Sequence, residues 1–373
     1  MAGGVNRKIS ALSARAHTRR AKKNSSFQVF LGVFKKTLVV FCMVFSGFCF
    51  KENSTSSTQD MWHDAVIAQT LSPEIVEDLG VYIVSIDRPG YGESDPDPNR
   101  TVKSLALDIE ELADQLRLGS KFYVIGFSMG GQVTWGCLKH IPHRLAGAVL
   151  LAPAVNYWWT GFPTNLSSEA YNQQLLRDQW ALRVAHYTPL LTYWWNTQKW
   201  FPVFSIFSGS PDIVSDQDKQ LIPKIIGQIK YPAQTRQQGE YESIHRDLII
   251  GFGSWEFSPV DLENPFPNNE GSVHLWHGDE DRLVPVTMQR YIVQKLPWIE
   301  YHEVPGAGHL FPHADGLSDS IIKALLNRGE IGFHIEFVRL GSDFLLFFIC
   351  PFKRFQICVD QFDMYHCLWR WSC

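Results

Sequence analysis

The sequence predicts an α/β fold: a mostly parallel sheet with helices on both faces and a helical insertion late in the chain. Three observations predict it. Short apolar runs bounded by Gly and Pro alternate with amphipathic runs, the signature of strand–helix–strand units. The stretch Gly126-Phe127-Ser128-Met129-Gly130-Gly131 sits between a β-like run at 121–125 and a helix-like run at 132–140. A G-x-S-x-G turn between strand and helix exposes its central Ser above the sheet edge. The alternation stops between Asn156 and Gly271 and then resumes.

Length and composition bound the rest. The 373 residues suffice for one large α/β domain with an insertion, or for two domains. At 45% hydrophobic and 19% charged, the chain has the balance of an ordinary globular protein. Its formal net charge of -4 offers no electrostatic footprint for a nucleic acid. The charge is divided, however. Residues 1–36 carry Lys and Arg but no Asp or Glu, which leaves the remainder distinctly acidic. Of seven cysteines, Cys42 and Cys49 lie near the start, Cys350, Cys358, Cys367 and Cys373 near the end, and Cys137 alone in the middle. There is no C-x-x-C pair, so neither a zinc site nor a redox dithiol is indicated. The central region reads as reduced and disulfide-free, which suits a cytoplasmic or organellar interior.

Residues 1–26 are basic and rich in Ser and Ala. The missing acids fit a transit peptide; a disordered tail is the preferred reading. The apolar run 38–50 is shorter than the ~20 residues of a membrane-spanning helix. Extending it back to residue 27 encloses Lys35 and Lys36, each costing roughly 3 kcal/mol near the bilayer centre. A membrane anchor over 27–50 is therefore the disfavoured alternative. The Val and Phe content suits a buried strand. Residues 51–59 are a polar linker.

From Asp64 the texture becomes regular. Residues 64–78 read as a helix closed by Gly80, and 81–86 as a buried parallel strand. Asp87-Arg-Pro-Gly-Tyr-Gly-Glu-Ser94 is a loop. Residues 102–118 form an amphipathic helix with Leu105, Ile109, Leu112 and Leu116 on one face. The elbow strand and its helix follow, then a strand at 146–151 stopped by Pro153. The stretch 156–271 reads as a helical lid and holds Trp158, Trp159, Trp180, Trp194, Trp195, Trp200 and Trp255. Some of these tryptophans are expected to pack the lid and others to line an apolar pocket. Strands at 272–276 and 298–304, and helices at 286–295 and 316–326, complete the pattern. The expected division is an atypical segment 1–63, a first core part 64–155, the lid 156–271, a second core part 272–326, and an aromatic- and Cys-rich tail 327–373.

Ser128, Asp281 and His309 each follow a different strand of this parallel sheet, at the carboxyl edge where open α/β sheets place ligands. The order Ser, acid, His fits such a sheet. A Ser hydroxyl is a poor nucleophile until a base takes its proton; an imidazole can take it and return it; a carboxylate holds the ring and stabilises the imidazolium. The turn at Ser128 leaves the backbone N–H of Met129 facing a developing oxyanion. Asp279 is the alternative acid. His277, His302 and His313 read as structural residues or bystanders. Phosphate loops, dinucleotide fingerprints, metal clusters and cofactor motifs are not expected. Asn24, Asn53 and Asn165 head glycosylation sequons that matter only in a secreted chain.

Four motifs carry a resemblance: Asp87-Arg-Pro-Gly-Tyr-Gly-Glu-Ser94, Gly126-Phe-Ser-Met-Gly130, Gly278-Asp-Glu-Asp281-Arg-Leu-Val-Pro285 and Gly306-Ala-Gly-His309. Through them residues 64–326 resemble the α/β-hydrolase superfamily, and more narrowly a group of plant esterase- and lipase-like members. The resemblance implies Ser128 as nucleophile, Asp281 as acid and His309 as base. It also implies hydrolysis of an ester or thioester, with a small apolar acyl substrate, through an acyl-serine. A hormone-type receptor on the same fold and an inactive truncated hydrolase are the alternatives. Epoxide hydrolases and dehalogenases need a carboxylate where Ser128 stands, whereas a hydroxynitrile lyase would keep the same three residues.

The departure lies ahead of Asp64. Family members carry a strand there that ends in a His-Gly loop, supplies an oxyanion donor and lies inside the sheet. The texture changes near His63 and after Leu326 read as those of a truncated or mis-spliced product with foreign ends. A gap inside a parallel sheet would strand backbone groups without partners. Residues 38–46 are therefore expected to act as a substitute strand, with Ser46-Gly47-Phe48 in place of the His-Gly loop and Gly47 as second oxyanion donor.

Overall fold

A computed structural model describes residues 67, 70–92, 94–228 and 238–326, and the backbone course of 38–43, 339–340 and 343–344. Six strands form one wholly parallel sheet: β1 (Leu38–Met43), β2 (Val81–Ser85), β3 (Phe122–Phe127), β4 (Leu145–Leu151), β5 (Ser272–Gly278) and β6 (Ile299–Val304), in the order β2-β1-β3-β4-β5-β6. The apolar runs of β3 and β4 are almost continuous, as strands covered on both faces require.

The interior of the sheet is complete. β1 pairs with β2 from Leu38↔Val81 to Cys42↔Ser85, and with β3 from Val40↔Tyr123 to Met43↔Gly126. The substitute strand therefore stands where it is expected over Leu38–Met43, the part of 38–46 that is described. Its backbone groups, and those facing it, find ladder partners. Gly47 and the rest of Ser46-Gly47-Phe48 lie outside the described residues.

Helix α1 spans Pro73–Leu79, much shorter than the helix expected over 64–78. Residues 67 and 70 are helical, but Leu71 and Ser72 interrupt the run. Ser72 is extended at ψ 139°, because a following Pro disfavours the helical region. Pro73 then starts the helix, where its missing N–H costs nothing, and Gly80 ends it in the left-handed region at φ 59°. Helix α2 (Val102–Gln115) opens on a reciprocal capping box between Thr101 and Ser104. Leu105 and Ile109 are buried as expected. Leu116 is not: it lies beyond the helix, at its C-cap, and is 42% exposed.

Helix α3 (Met129–His140) begins directly after Ser128, three residues earlier than expected. Helices α4 (Thr164–Gln173), α5 (Leu176–Tyr187), α6 (Thr192–Thr197), α7 (Ser205–Ser208), α8 (Asp216–Gln228) and α9 (Arg246–Phe252) lie between β4 and β5. A π-helical turn, Tyr241–His245, leads into α9. α10 (Val286–Lys295) and α11 (Leu317–Leu326) complete the unit.

Strand residues divide by parity between two cores. Val124, Ala148, Leu150 and Leu275 meet Leu105, Ile109, Val133 and Ile292 on one face. Ile83, Ile125, Val149 and Leu151 meet Ile75, Ile321, Ile322 and Leu325 on the other. The two-residue period of a strand thus builds both layers from the same segments. α2, α3 and α10 cover one face, α1 and α11 the other. Among the described residues, no helix is long and apolar enough to cross a membrane. In a second unit, residues 328–373, the described backbone is an antiparallel pair, Arg339–Leu340 with Asp343–Phe344.

Candidate active site

Ser128 sits at the joint between β3 and α3 with φ 55° and ψ -117°, a conformation that L-residues avoid unless their surroundings impose it. Three hydrogen bonds impose it here. The Ser128 N–H donates to Leu151 O at 2.8 Å, and the Ser128 carbonyl accepts from Gly131 N and Ala154 N, both at 2.9 Å. The close return of the chain needs Gly126, where a Cβ would lie 2.2 Å from Thr134 Oγ1 and 2.3 Å from the Gly130 carbonyl oxygen. Met129 opens the helix, so its N–H belongs to the first turn, where backbone donors lack intrahelical partners and the dipole favours negative charge.

The loops after β5 and β6 bring the other two residues to this joint. His309 Nε2 lies 3.0 Å from Ser128 Oγ, and His309 Nδ1 lies 2.7 Å from Asp281 Oδ2. Asp281 Oδ1 accepts from Leu283 N and Val284 N at 2.8 Å, which leaves Oδ2 for the imidazole. All three residues are buried. Burial alone would raise the Asp281 carboxyl, but the charge and hydrogen bond of His309 hold it below its ordinary value. Burial would lower His309; Asp281, with a further contribution from Asp218, holds it above its ordinary 6.5. The pair is thus set so that the carboxylate stays charged and the imidazole accepts a proton readily.

Asp279 does not reach the imidazole. Its Oδ1 accepts from Gly306 N at 2.7 Å and ties the two loops together. His277 is buried beside the pair: its Nε2 donates to Val284 O at 3.0 Å and lies 3.4 Å from Asp281 Oδ2, and burial keeps its ring below the ordinary value. His302 stacks on Trp276 at 4.0 Å, away from Ser128. His313 packs edge-on to Phe127, and burial, helped by Lys224 and His309, pushes its pKa down to about 4.

Asp218, which the sequence reading did not single out, holds the histidine loop. It is fully buried at the start of α8. Its Oδ2 accepts from Ser215 N at 3.0 Å and His309 N at 3.1 Å, and its Oδ1 accepts from Leu310 N at 2.7 Å. Neighbouring Gln217 accepts from Gly308 N at 3.0 Å. Ser215-x-x-Asp218 is a readable capping box, and Asp218 N donates to Ser215 Oγ as that motif predicts. What the motif does not reveal is that the same carboxylate reaches a loop 91 residues away.

An apolar cavity of about 40 Å³ opens at Ser128 and Met129, lined by Tyr157, Phe204, Leu248 and Phe252 among others. None of the seven tryptophans between 156 and 271 lines it, contrary to the expectation that some would. They pack with other rings instead: Trp158 stacks on His186 at 4.2 Å, Trp159 meets Trp255 at 4.8 Å, and Trp195 stacks on Phe201 at 5.6 Å. Trp200 is 76% exposed.

A Ser at a strand–helix turn, with an acid and a His on later strand ends of a parallel sheet, defines the α/β-hydrolase class. The profile of the Alpha/beta hydrolase family matches residues 47–318, and the chain belongs to that family. No curated protein sequence matches it. Solved structures similar to it include an esterase from Thermogutta terrifontis, at 19% identity, covering 78% of this chain and 89% of that one with a TM-score of 0.48. An esterase from Rhodococcus shares 14% identity, over 79% of this chain and 92% of the other, at a TM-score of 0.48. An enol-lactonase from Burkholderia xenovorans shares 13% identity, over 78% and 92% of the two chains, at 0.49. Likenesses at this level say nothing of the substrate.

Proposed function

We propose that the protein is a serine hydrolase that cleaves an ester, thioester or related acyl bond through an acyl-serine. The observation that carries this reading is the bridging imidazole, His309, 3.0 Å from Ser128 Oγ on one side and 2.7 Å from Asp281 on the other. In the first step Oγ attacks the acyl carbon while its proton passes to His309 Nε2. The Met129 N–H faces the tetrahedral oxyanion. The imidazolium, stabilised by Asp281, then protonates the departing alcohol or thiol. Water attacks the acyl-serine by the same route in reverse and frees the acid.

β1 ends at Met43, opposite Gly126, two residues before Ser128. The chain therefore leaves β1 at the edge that carries the nucleophile, which supports Gly47 as the second oxyanion donor. The apolar lining of the cavity supports a small apolar acyl group. Cys137 is buried and free, in keeping with a reducing cytoplasmic or organellar interior.

The test is labelling of the purified protein by a fluorophosphonate, which reacts with a Ser activated by its His. Labelling of the wild type and not of Ser128→Ala is the expected result. A folded wild type that resists the probe and turns over no p-nitrophenyl ester would overturn the proposal.

A further inference from the structure

On the sheet face covered by α1 and α11, the edge strand β6 and its neighbour β5 bring three ligand-bearing side chains together. His274 pairs with Glu300 and Trp276 with His302 in the parallel register. The two-residue period of each strand sends Glu300 and His302 to the face that carries His274 and Trp276. Among the described residues, this is the one group of three His, Cys, Asp or Glu whose ligand atoms all lie within 4.8 Å of one another. We propose that His274, Glu300 and His302 bind a divalent transition-metal ion of the zinc type.

The spacing fits such an ion. Zinc holds imidazole nitrogens at ~2.0–2.1 Å and carboxylate oxygens at ~2.0–2.2 Å, so tetrahedral ligand atoms stand roughly 3.3–3.5 Å apart. His274 Nδ1 lies 3.0 Å from His302 Nε2 and 3.6 Å from Glu300 Oε2. These two separations lie within a few tenths of an ångström of that spacing, and the third, between His302 and Glu300, is no longer than 4.8 Å.

The rings are also held for it. His274 is buried, and its Nε2 lies 3.0 Å from Ser272 Oγ. With Nε2–H donating to that oxygen, Nδ1 presents its lone pair toward the other two ligands. An outer hydrogen bond of this kind is what fixes metal-binding histidines. His302 is fixed by its stack on Trp276, with planes 11° apart. In the metal-free site, His302 Nε2–H donates to His274 Nδ1; coordination replaces that proton, which leaves for His302 Nδ1 or for solvent.

Two imidazoles and one carboxylate favour zinc, nickel or copper over magnesium or calcium, which prefer all-oxygen shells. The Glu300 side chain is about half exposed, so the ion reaches the site from solvent and keeps water on its remaining positions. His274 lies four residues before the end of β5 at Gly278, about 13 Å along the strand from the edge that carries Asp281. The ion would therefore tie β6 to β5 and take no part at Ser128.

The experiment is calorimetric titration of the chelator-treated full chain with Zn²⁺, repeated with Co²⁺ while its visible absorption is followed. Glu300→Gln alters an exposed side chain and leaves the fold intact; His302→Ala removes a ring nitrogen. One equivalent should bind with micromolar or tighter affinity and raise the thermal midpoint, and Mg²⁺ should not compete. Glu300→Gln should weaken binding at least tenfold, and His302→Ala should abolish this equivalent. Isotherms of the same shape in all three proteins would place any bound zinc elsewhere. The absence of a saturable phase in the wild type would show the two histidines to be an ordinary hydrogen-bonded pair. Either result overturns the proposal.

Discussion

Asp218→Asn exchanges one oxygen for an amide group at the residue that holds the histidine loop. Asp218 Oδ2 serves two backbone donors, Ser215 N and His309 N, and Oδ1 serves Leu310 N. Asparagine has one oxygen to offer. Its better orientation keeps the oxygen on the two-donor side and turns NH₂ toward the Leu310 N–H, so one buried donor faces another. A buried amide left without an acceptor costs about 1–3 kcal/mol, which sets the expected loss in denaturant unfolding. The effect on rate is larger than stability alone suggests. The displaced loop carries His309, and a shift near 1 Å in a reacting group costs on the order of 10²-fold. A fall of about 10- to 100-fold in kcat/KM for a p-nitrophenyl ester is expected, mostly in kcat.

The same change has a sign that packing alone does not give. Asp218 contributes to raising His309 above its ordinary 6.5. In the proposed mechanism the base form of His309 is the active one, so activity should rise with pH through its pKa. Removing the charge should move that rise to lower pH. A folded Asp218→Asn enzyme with unchanged kcat/KM and an unmoved acid limb would refute the reasoning.

Two further outcomes follow from buried charge. Asp247 binds Arg88 and Arg100 and accepts from the Tyr91 hydroxyl at 2.6 Å, joining the loop after β2 to α9. Asp247→Asn should cost about 3–5 kcal/mol in urea unfolding, because it leaves buried guanidinium charge uncompensated. His313 stays neutral in the fold down to about pH 4, whereas the unfolded chain binds that proton near 6.5. Its stabilising contribution is thus complete above 6.5 and lost as pH falls toward 4, by about 3 kcal/mol. His313→Gln should flatten this part of the stability profile, measured by denaturant unfolding across that pH interval.

Local pattern carried the centre of the sheet because its strands announce themselves: the runs at β3 and β4 are apolar, short and closed by Gly or Pro. The geometry around Ser128 was legible for a related reason. Residues at the carboxyl ends of parallel strands share an edge, so a Ser, an Asp and a His in those loops converge without any side-chain detail. What escaped depends on contacts that leave no periodic trace. Asp218 shows its capping role in the sequence, but its hold on His309 N is made with backbone, which every residue possesses. The tryptophans misled because a large apolar ring looks the same whether it lines a cavity or packs on Phe201. Proline decided the start of α1 through its effect on Ser72, against a helical periodicity that runs on regardless.

An inner strand of the sheet, β1, finds one of its partners far along the chain. Val40 meets Tyr123, roughly 80 residues on, and contacts of such separation form slowly. A chain with β1 undocked would leave the ladder edges of β2 and β3 that face it without partners. A nascent chain in that state is a receptor for any extended segment of suitable texture, including the same segment of a second molecule. Order of assembly, and not only final stability, then decides how much of this protein reaches its native form.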